Sequence, residues 1–285
     1  MSTFAVRRFA SSATAAAVAL PVFERHSLSR THLIFGANTD VGKTLTCAGL
    51  VRASLAQTTE VSDTTNTLVH YMKPLQCGGS DEKFIERHCP SSQLHRLSRR
   101  TLFDWKTPAS PHVASRKEKS PVSDHEVLSE IQSTLSDIAV KSSNSGQAST
   151  TWIETAGGVL SPSSASPNNC SPSHASDSKD GWGWVTQGDL YHPLSTTASV
   201  VLIGDGRLGG KTHRALLEIH GLLASFRLSK DVFLISTPFV ISFAGISATL
   251  SSLESLMIRG YNVAGIVLLE TGYDNVTAIR EYAGR

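Results

Sequence analysis

The chain has 285 residues, a length that fits one large α/β domain or two small ones. Hydrophobic residues make up 40% and charged residues 18%, which allows a sizeable core under a sparsely charged surface. The formal net charge is only +2, and the leading segment carries Arg7, Arg8, Arg25 and Arg30 against Glu24 alone, so the body is near neutral and a basic nucleic-acid-binding surface is disfavoured. Cys47, Cys77, Cys89 and Cys170 have neither C-x-x-C spacing nor a paired framework, which argues against a structural zinc site or a disulfide scaffold. A membrane span needs roughly 20 apolar residues. Residues 232–244 come closest, but they are short and interrupted by Pro238, so a soluble protein is expected.

Residues 1–31 are rich in Ala, Ser and Arg and almost free of acid. Such a stretch can form a positively charged amphipathic helix, the physical signature of a mitochondrial transit peptide. A secretory signal built on Ala13–Leu20 competes, and a tail with no address, leaving the protein cytoplasmic, is the plain alternative. The folded domain is expected over 32–285.

From Thr31 the pattern changes. The apolar run His32–Phe35 ends at Gly36 and reads as a buried strand, and Thr44–Ala56 follows with helical spacing. Further buried strands are predicted at Leu68–Met72, Thr151–Ile153, Ser199–Ile203 and Val263–Leu269, with helices clearest at Asp124–Val140 and Ser247–Arg259. This alternation predicts an α/β fold of P-loop NTPase-like, doubly wound type, with a mostly parallel sheet and helices on both faces. Residues 161–184 read as a low-complexity surface insertion, since 161–180 alone hold eight serines and three prolines.

Between the first strand and helix lies Gly36-Ala-Asn-Thr-Asp-Val-Gly42-Lys43-Thr44, which from Ala37 fits [AG]-x-x-x-x-G-K-[ST]. Backbone N–H groups around Gly42 can wrap a phosphate, and the helix start adds its positive dipole end. Lys43 can reach the outer phosphates, and the Thr44 hydroxyl suits Mg²⁺. The strand before and the helix after are the context this motif requires. Gly209-Gly210-Lys211-Thr212 echoes the motif but lacks a small residue at the right upstream distance, and reads as coincidence. Lys73 ends the second strand before Pro74 and Gly78-Gly79, at the edge where ligands gather in such sheets. Asp81 follows that loop, and Glu154 closes a strand ahead of Ala156-Gly157-Gly158, so both are candidate Mg²⁺ ligands. Singly, each is barely better than a solvated charge; together they describe a phosphoryl-transfer site.

With these residues in view, the chain resembles dethiobiotin synthetase, in particular the synthetase half of the bifunctional fungal and plant enzymes that also carry an aminotransferase. The matching segments are 36–44, 73–79, Ser80-Asp81, Ser110-Pro-His112, 154–162, 186–194, 207–210 and 246–261, spanning most of residues 32–285. The resemblance implies ATP-dependent addition of CO₂ to 7,8-diaminononanoate: a carbamate forms, takes the γ-phosphoryl group, and is closed to a ureido ring by the second amine. It implies ATP and Mg²⁺ as cofactors. Gly36, Asn38, Thr39, Asp40, Val41, Gly42, Lys43 and Thr44 would bind ATP, and Thr44, Asp81 and Glu154 the metal. Lys43, Lys73, Thr39 and Asp40 would carry the chemistry, with Lys73 and Thr39 on the carbamate and Asp40 near the diamine. Lys73, Cys77, Gly157 and Gly158 would line the substrate. A homodimer and an aminotransferase, fused or separate, are the implied partners.

Cys77 departs from a small hydroxyl residue, Thr155 from a glycine, and Leu269 from an adenine-reading asparagine, which leaves base selectivity open. The resemblance also implies that 207–210 run directly into 246, whereas residues 211–245 interpose. A retained intron and a genuine helical insertion both account for them, and either could abolish activity while sparing ATP binding. The pattern ends at Arg285 with no aminotransferase half, as in a fragment or truncated gene product. A related P-loop ATPase of amidase or partition type would want a glutaminase domain or a GKGGVGKT-like loop, and neither is present. A degenerate nucleotide-binding module is the non-enzymatic alternative.

Overall fold

The computed structural model describes residues 20–56, 67–164, 185–204, 244–268 and 282. Its centre is a six-stranded sheet made of β1 (Ser29–Gly36), β2 (Leu68–Cys77), β3 (Leu97–Trp105), β4 (Ser149–Glu154), β5 (Ala198–Gly204) and β6 (Val263–Leu268). The spatial order is β3-β2-β4-β1-β5-β6, and every neighbouring pair is parallel. Helices follow the strands: α1 (Lys43–Ala56), α2 (Asp81–His88), α3 (Pro111–Lys117), α4 (Asp124–Ser145), a single turn α5 (Gln187–Leu190), and α6 (Ala244–Ile258).

The central strands are buried on both faces, which is why they read as unbroken apolar runs rather than alternating ones. Leu33, Ile34 and Phe35 are all fully buried, each contributing about 1.5–3 kcal/mol on burial. One face packs Ile34, Tyr71, Trp152 and Ile203 against Cys47, Leu50, Val51 and Leu55 of α1 and Ile85 of α2. The other packs Leu33, Met72, Ile153 and Leu202 against Val127, Leu128 and Ile131 of α4 and Leu253 and Leu256 of α6. The expected doubly wound α/β architecture is therefore present. Local signals agree with it: Ser123 and Glu126 form a capping box at the start of α4, and Gly146 ends that helix at φ 66°.

Three boundaries differ from the sequence reading. Strand β1 begins at Ser29, and residues 20–28 pack onto the domain ahead of it: Arg25 Nε donates to the Thr196 carbonyl at 2.7 Å, Gln132 Nε2 donates to the Val22 carbonyl at 2.6 Å, and Phe23 rests on the core. Residues 20–31 thus pack with the domain that the sequence reading starts at 32; residues 1–19 lie outside the described residues. Residues 161–164, assigned by composition to the insertion, are built in, with Ser163 and Ser164 buried and Ser164 Oγ donating to the Val122 carbonyl at 3.1 Å. Helix α6 starts at Ala244, inside the segment treated as extra, whereas 211–243 lie outside the described residues. Among the described residues, no helix is long and apolar enough to cross a membrane.

A half-buried histidine against this core gives it a pH dependence. His32 stacks on Trp152 with ring centroids 4.3 Å apart, and its Nδ1 lies 2.6 Å from Ser199 Oγ. Burial, helped by Arg30, pushes its pKa down to about 4. Between pH 6.5 and 4 the unfolded chain takes up a proton that the folded chain refuses, so stability must fall as pH drops through that window. We expect the melting temperature to decline on acidification from pH 6.5 to 4, and the decline to be shallower in His32→Phe, measured by circular dichroism across that range.

Candidate active site

Gly36, the last residue of β1, opens the loop over residues 37–42. A Cβ at Gly36 would meet the Asn38 carbonyl oxygen at 2.8 Å and Lys43 Nζ at 2.9 Å, so the bare backbone is what lets Lys43 fold back over the loop. Lys43 Nζ donates to the Asn38 carbonyl at 3.2 Å, and the Thr39 amide is held by Asn38 Oδ1 at 2.8 Å. Asp40 at φ 56° and Gly42 at φ 94° turn the chain sharply into α1. Burial, then the nearby charge of Lys73, pushes the Lys43 pKa down to about 8. An anion brought to the start of α1 would reverse both effects.

Beside this loop lies a buried carboxylate. Glu154 ends β4 with 0% of its surface exposed. Its Oε1 accepts from Lys73 Nζ at 2.7 Å and from Thr44 Oγ1 at 2.8 Å, while Oε2 accepts from Tyr71 OH at 2.8 Å. Lys73 Nζ also pairs with Asp81 Oδ2 at 2.9 Å and donates to the Thr155 carbonyl at 3.4 Å. Burial alone would push Lys73 down and Glu154 up. The facing charges win, so Lys73 is held above the ordinary lysine range and Glu154 below the ordinary carboxylate range.

The turn after β2 brings Asp81 to this cluster. Gln76 Nε2 donates to the Gly78 carbonyl at 2.7 Å, and its Oε1 accepts from the Asp81 amide at 3.4 Å. Gly78 and Gly79 take φ of 64° and 61°, and Ser80 caps α2. On the far side, Thr155 Oγ1 donates to the Ile34 carbonyl at 3.0 Å. Gly158 backs onto the phosphate-loop backbone, where a Cβ would lie 3.0 Å from the Ala37 carbonyl oxygen.

These elements enclose an open cavity of about 690 Å³. Thr39, Asp40, Gly42, Lys43 and Thr44 line one side, Lys73, Asp81 and Glu154 the floor, and Cys77 with residues 108–111 the other side. Gly157 borders it, whereas Gly36, Asn38, Val41 and Gly158 do not. Val41 instead packs into the core, and Gly158 shapes the loop from behind. Burial pushes the Cys77 thiol up to about 11, so it sits there as a neutral weak donor. Leu269, the expected adenine-facing position, lies outside the described residues. Sequence reasoning gave no role to Tyr71, which grips Glu154, or to Gln76, which grips the Asp81 turn: Tyr71 lies outside the matching segments, and Gln76 lies within 73–79 but its role depends on the fold of the turn.

The donor set bears on the expected metal. Among the described residues no group of three or more His, Cys, Asp or Glu side chains could hold an ion. The cluster instead offers two carboxylates and one hydroxyl, all oxygen donors. That set suits Mg²⁺, which keeps several waters and is completed by substrate phosphates. Thr44, Asp81 and Glu154 are the residues that fit it.

A parallel sheet whose central strand runs through a glycine-bounded loop into a helix carrying Lys43 and Thr44 defines a P-loop nucleotide-binding α/β protein. Residues 30–171 match the family described as "AAA domain". Three curated proteins are similar over most of the chain. A bifunctional dethiobiotin synthetase/7,8-diamino-pelargonic acid aminotransferase, mitochondrial, of Oryza sativa subsp. japonica is 28% identical, over 87% of this chain and 29% of its own length. A bifunctional dethiobiotin synthetase/adenosylmethionine-8-amino-7-oxononanoate aminotransferase of Emericella nidulans is 30% identical, over 86% of this chain and 22% of its own length. The Arabidopsis thaliana counterpart of the rice protein is 26% identical, over 88% of this chain and 30% of its own length. The chain is thus similar to the dethiobiotin synthetase family, and it spans less than a third of the length of these relatives.

Close backbone contact between Gly158 and the phosphate loop makes that glycine a test of the geometry. Gly158→Ala forces backbone against backbone and should cost about 1–3 kcal/mol, as overpacking does elsewhere. Urea denaturation should register that loss, and calorimetric ATP titration should show weakened binding in the folded variant.

Proposed function

We propose that this chain is an ATP-dependent dethiobiotin synthase domain of biotin biosynthesis, acting on 7,8-diaminononanoate and CO₂. The observation that carries the reading is the convergence of two lysines, Lys43 from the phosphate loop and Lys73 from β2, on one cavity floored by Glu154. Carbamate and γ-phosphate are both anions, and bringing them together requires fixed positive charge on either side of the transfer.

In this reading one amine of the diamine adds to CO₂ and loses a proton, giving a carbamate. Thr39 and Lys73 hold the carbamate, and Asp40 attracts the ammonium end of the diamine. A carbamate oxygen then attacks the γ-phosphorus as the bond to the ADP oxygen breaks. The second amine, having given up its ammonium proton, attacks the activated carbonyl carbon; phosphate leaves, the new nitrogen sheds one further proton, and the ureido ring closes. Lys43, whose proton is loosely held in the free protein, becomes firmly charged beside the phosphates. Lys73 stays charged throughout, because Glu154 and Asp81 hold its proton. Mg²⁺ on Thr44, Asp81 and Glu154 would neutralise the charge of the phosphates. Cys77, Gly157 and Gly158 shape the substrate side.

The further parts of the proposal are a homodimer, an aminotransferase working alongside as a fused or separate partner, and a mitochondrial address, which the names of the two plant relatives support. The test supplies labelled bicarbonate, diaminononanoate, Mg²⁺ and ATP to the purified chain and follows label into dethiobiotin. We expect product, and a loss of about 10²-fold or more in kcat on Lys43→Ala or Lys73→Ala. ATP binding without product would instead mark a nucleotide-binding module, and diamine-independent ATP turnover another P-loop ATPase.

A further inference from the structure

We infer that Tyr71 is a positioning residue of the nucleotide site: its hydroxyl locks Glu154 so that Oε1 alone faces Thr44 and Lys73. The inference rests on the reading of this cavity as a Mg²⁺–nucleotide site. Tyr71 does not line the cavity and meets it only through Glu154. It is 1% exposed, lies two residues before Lys73 on β2, and pairs in register with Trp152, two residues before Glu154 on β4. Residues two apart on a strand point to one face. The register therefore sets Tyr71 and Lys73 side by side under the same carboxylate, one on each of its oxygens.

A carboxylate with one oxygen free could rotate about its terminal torsion, which is broad and two-fold. The 2.8 Å bond from Tyr71 removes that freedom. Burial and the charge of Glu154 keep the phenol protonated well beyond neutral pH, so the donor is permanent. Partners one step behind a ligand are commonly worth 10- to 100-fold in metal affinity.

Tyr71→Phe removes the hydroxyl and keeps the ring. Tyr191→Phe is the control: Tyr191 is also fully buried, and its hydroxyl has no hydrogen-bond partner. The measurement is calorimetric ATP binding to the full chain at a series of Mg²⁺ concentrations. We expect Tyr71→Phe to keep a native circular dichroism spectrum and to need about tenfold more Mg²⁺ for half-maximal ATP binding. Tyr191→Phe should change neither. An unaltered Mg²⁺ requirement in Tyr71→Phe would overturn the inference, as would an equal change in Tyr191→Phe. A Tyr71→Phe chain that does not fold overturns it in favour of a purely structural role. Failure of the unmodified chain to bind ATP with Mg²⁺ removes the nucleotide-site reading and the inference together. Binding without dethiobiotin formation removes only the assigned reaction, and the Tyr71 comparison still decides.

Discussion

Glu154 is an ionised group with no exposure to water, and such a charge is tolerable only when its hydrogen-bonding capacity is met. It is met by three donors from two elements: Thr44 at the start of α1, and Tyr71 and Lys73 on β2. The carboxylate thus ties phosphate loop to sheet. Removing one partner of such a buried pair generally costs about 3–5 kcal/mol, because the remaining charge is stranded. Structural integrity and catalytic layout are therefore one constraint at this edge of the molecule.

The two lysines of the cavity are held in opposite electrostatic states. Lys73 sits between two carboxylates and clings to its proton. Lys43 has a backbone carbonyl as its nearest acceptor, feels Lys73, and is driven toward the neutral form. Positive charge is thus balanced on the Glu154 side and unbalanced on the loop side. A site built this way has an unmet demand for an anion at the start of α1, where backbone dipoles also point. The fold supplies that demand before any ligand arrives, which is the economical arrangement for phosphate recognition.

Much of this was legible in the amino-acid order, and the reason is locality. The phosphate loop is contiguous, so glycine spacing, Lys43 and Thr44 can be read from one segment. The strands β1, β5 and β6 stood out because parallel strands covered on both faces carry near-continuous apolar runs, and β2 and β4 through the shorter stretches Leu68–Met72 and Thr151–Ile153. Strand β3 escaped because it is an edge strand bearing Arg99, Arg100 and Asp104, with only Leu97 and Trp105 of its nine residues buried. Helix α2 escaped because it is eight residues long and buries only Ile85. Residues 161–164 were misread because serine-rich composition suggests exposure, yet Ser163 and Ser164 find backbone partners inside the fold. Tyr71 carried no signal at all, since its role exists only through the register between β2 and β4.

That register points to topology as the deeper cause of the site. In a parallel sheet every strand delivers its carboxyl end to the same edge. Here β4 lies between β2 and β1, although in sequence it follows both by a long interval. Glu154 is thereby placed with the Lys73 strand on one side and the phosphate-loop strand on the other. Had β4 been added at an outer edge, the same residues would have ended at the same edge without meeting. The sequence motifs name the groups, but the β2-β4-β1 order is what converts three separated segments into one charged cluster.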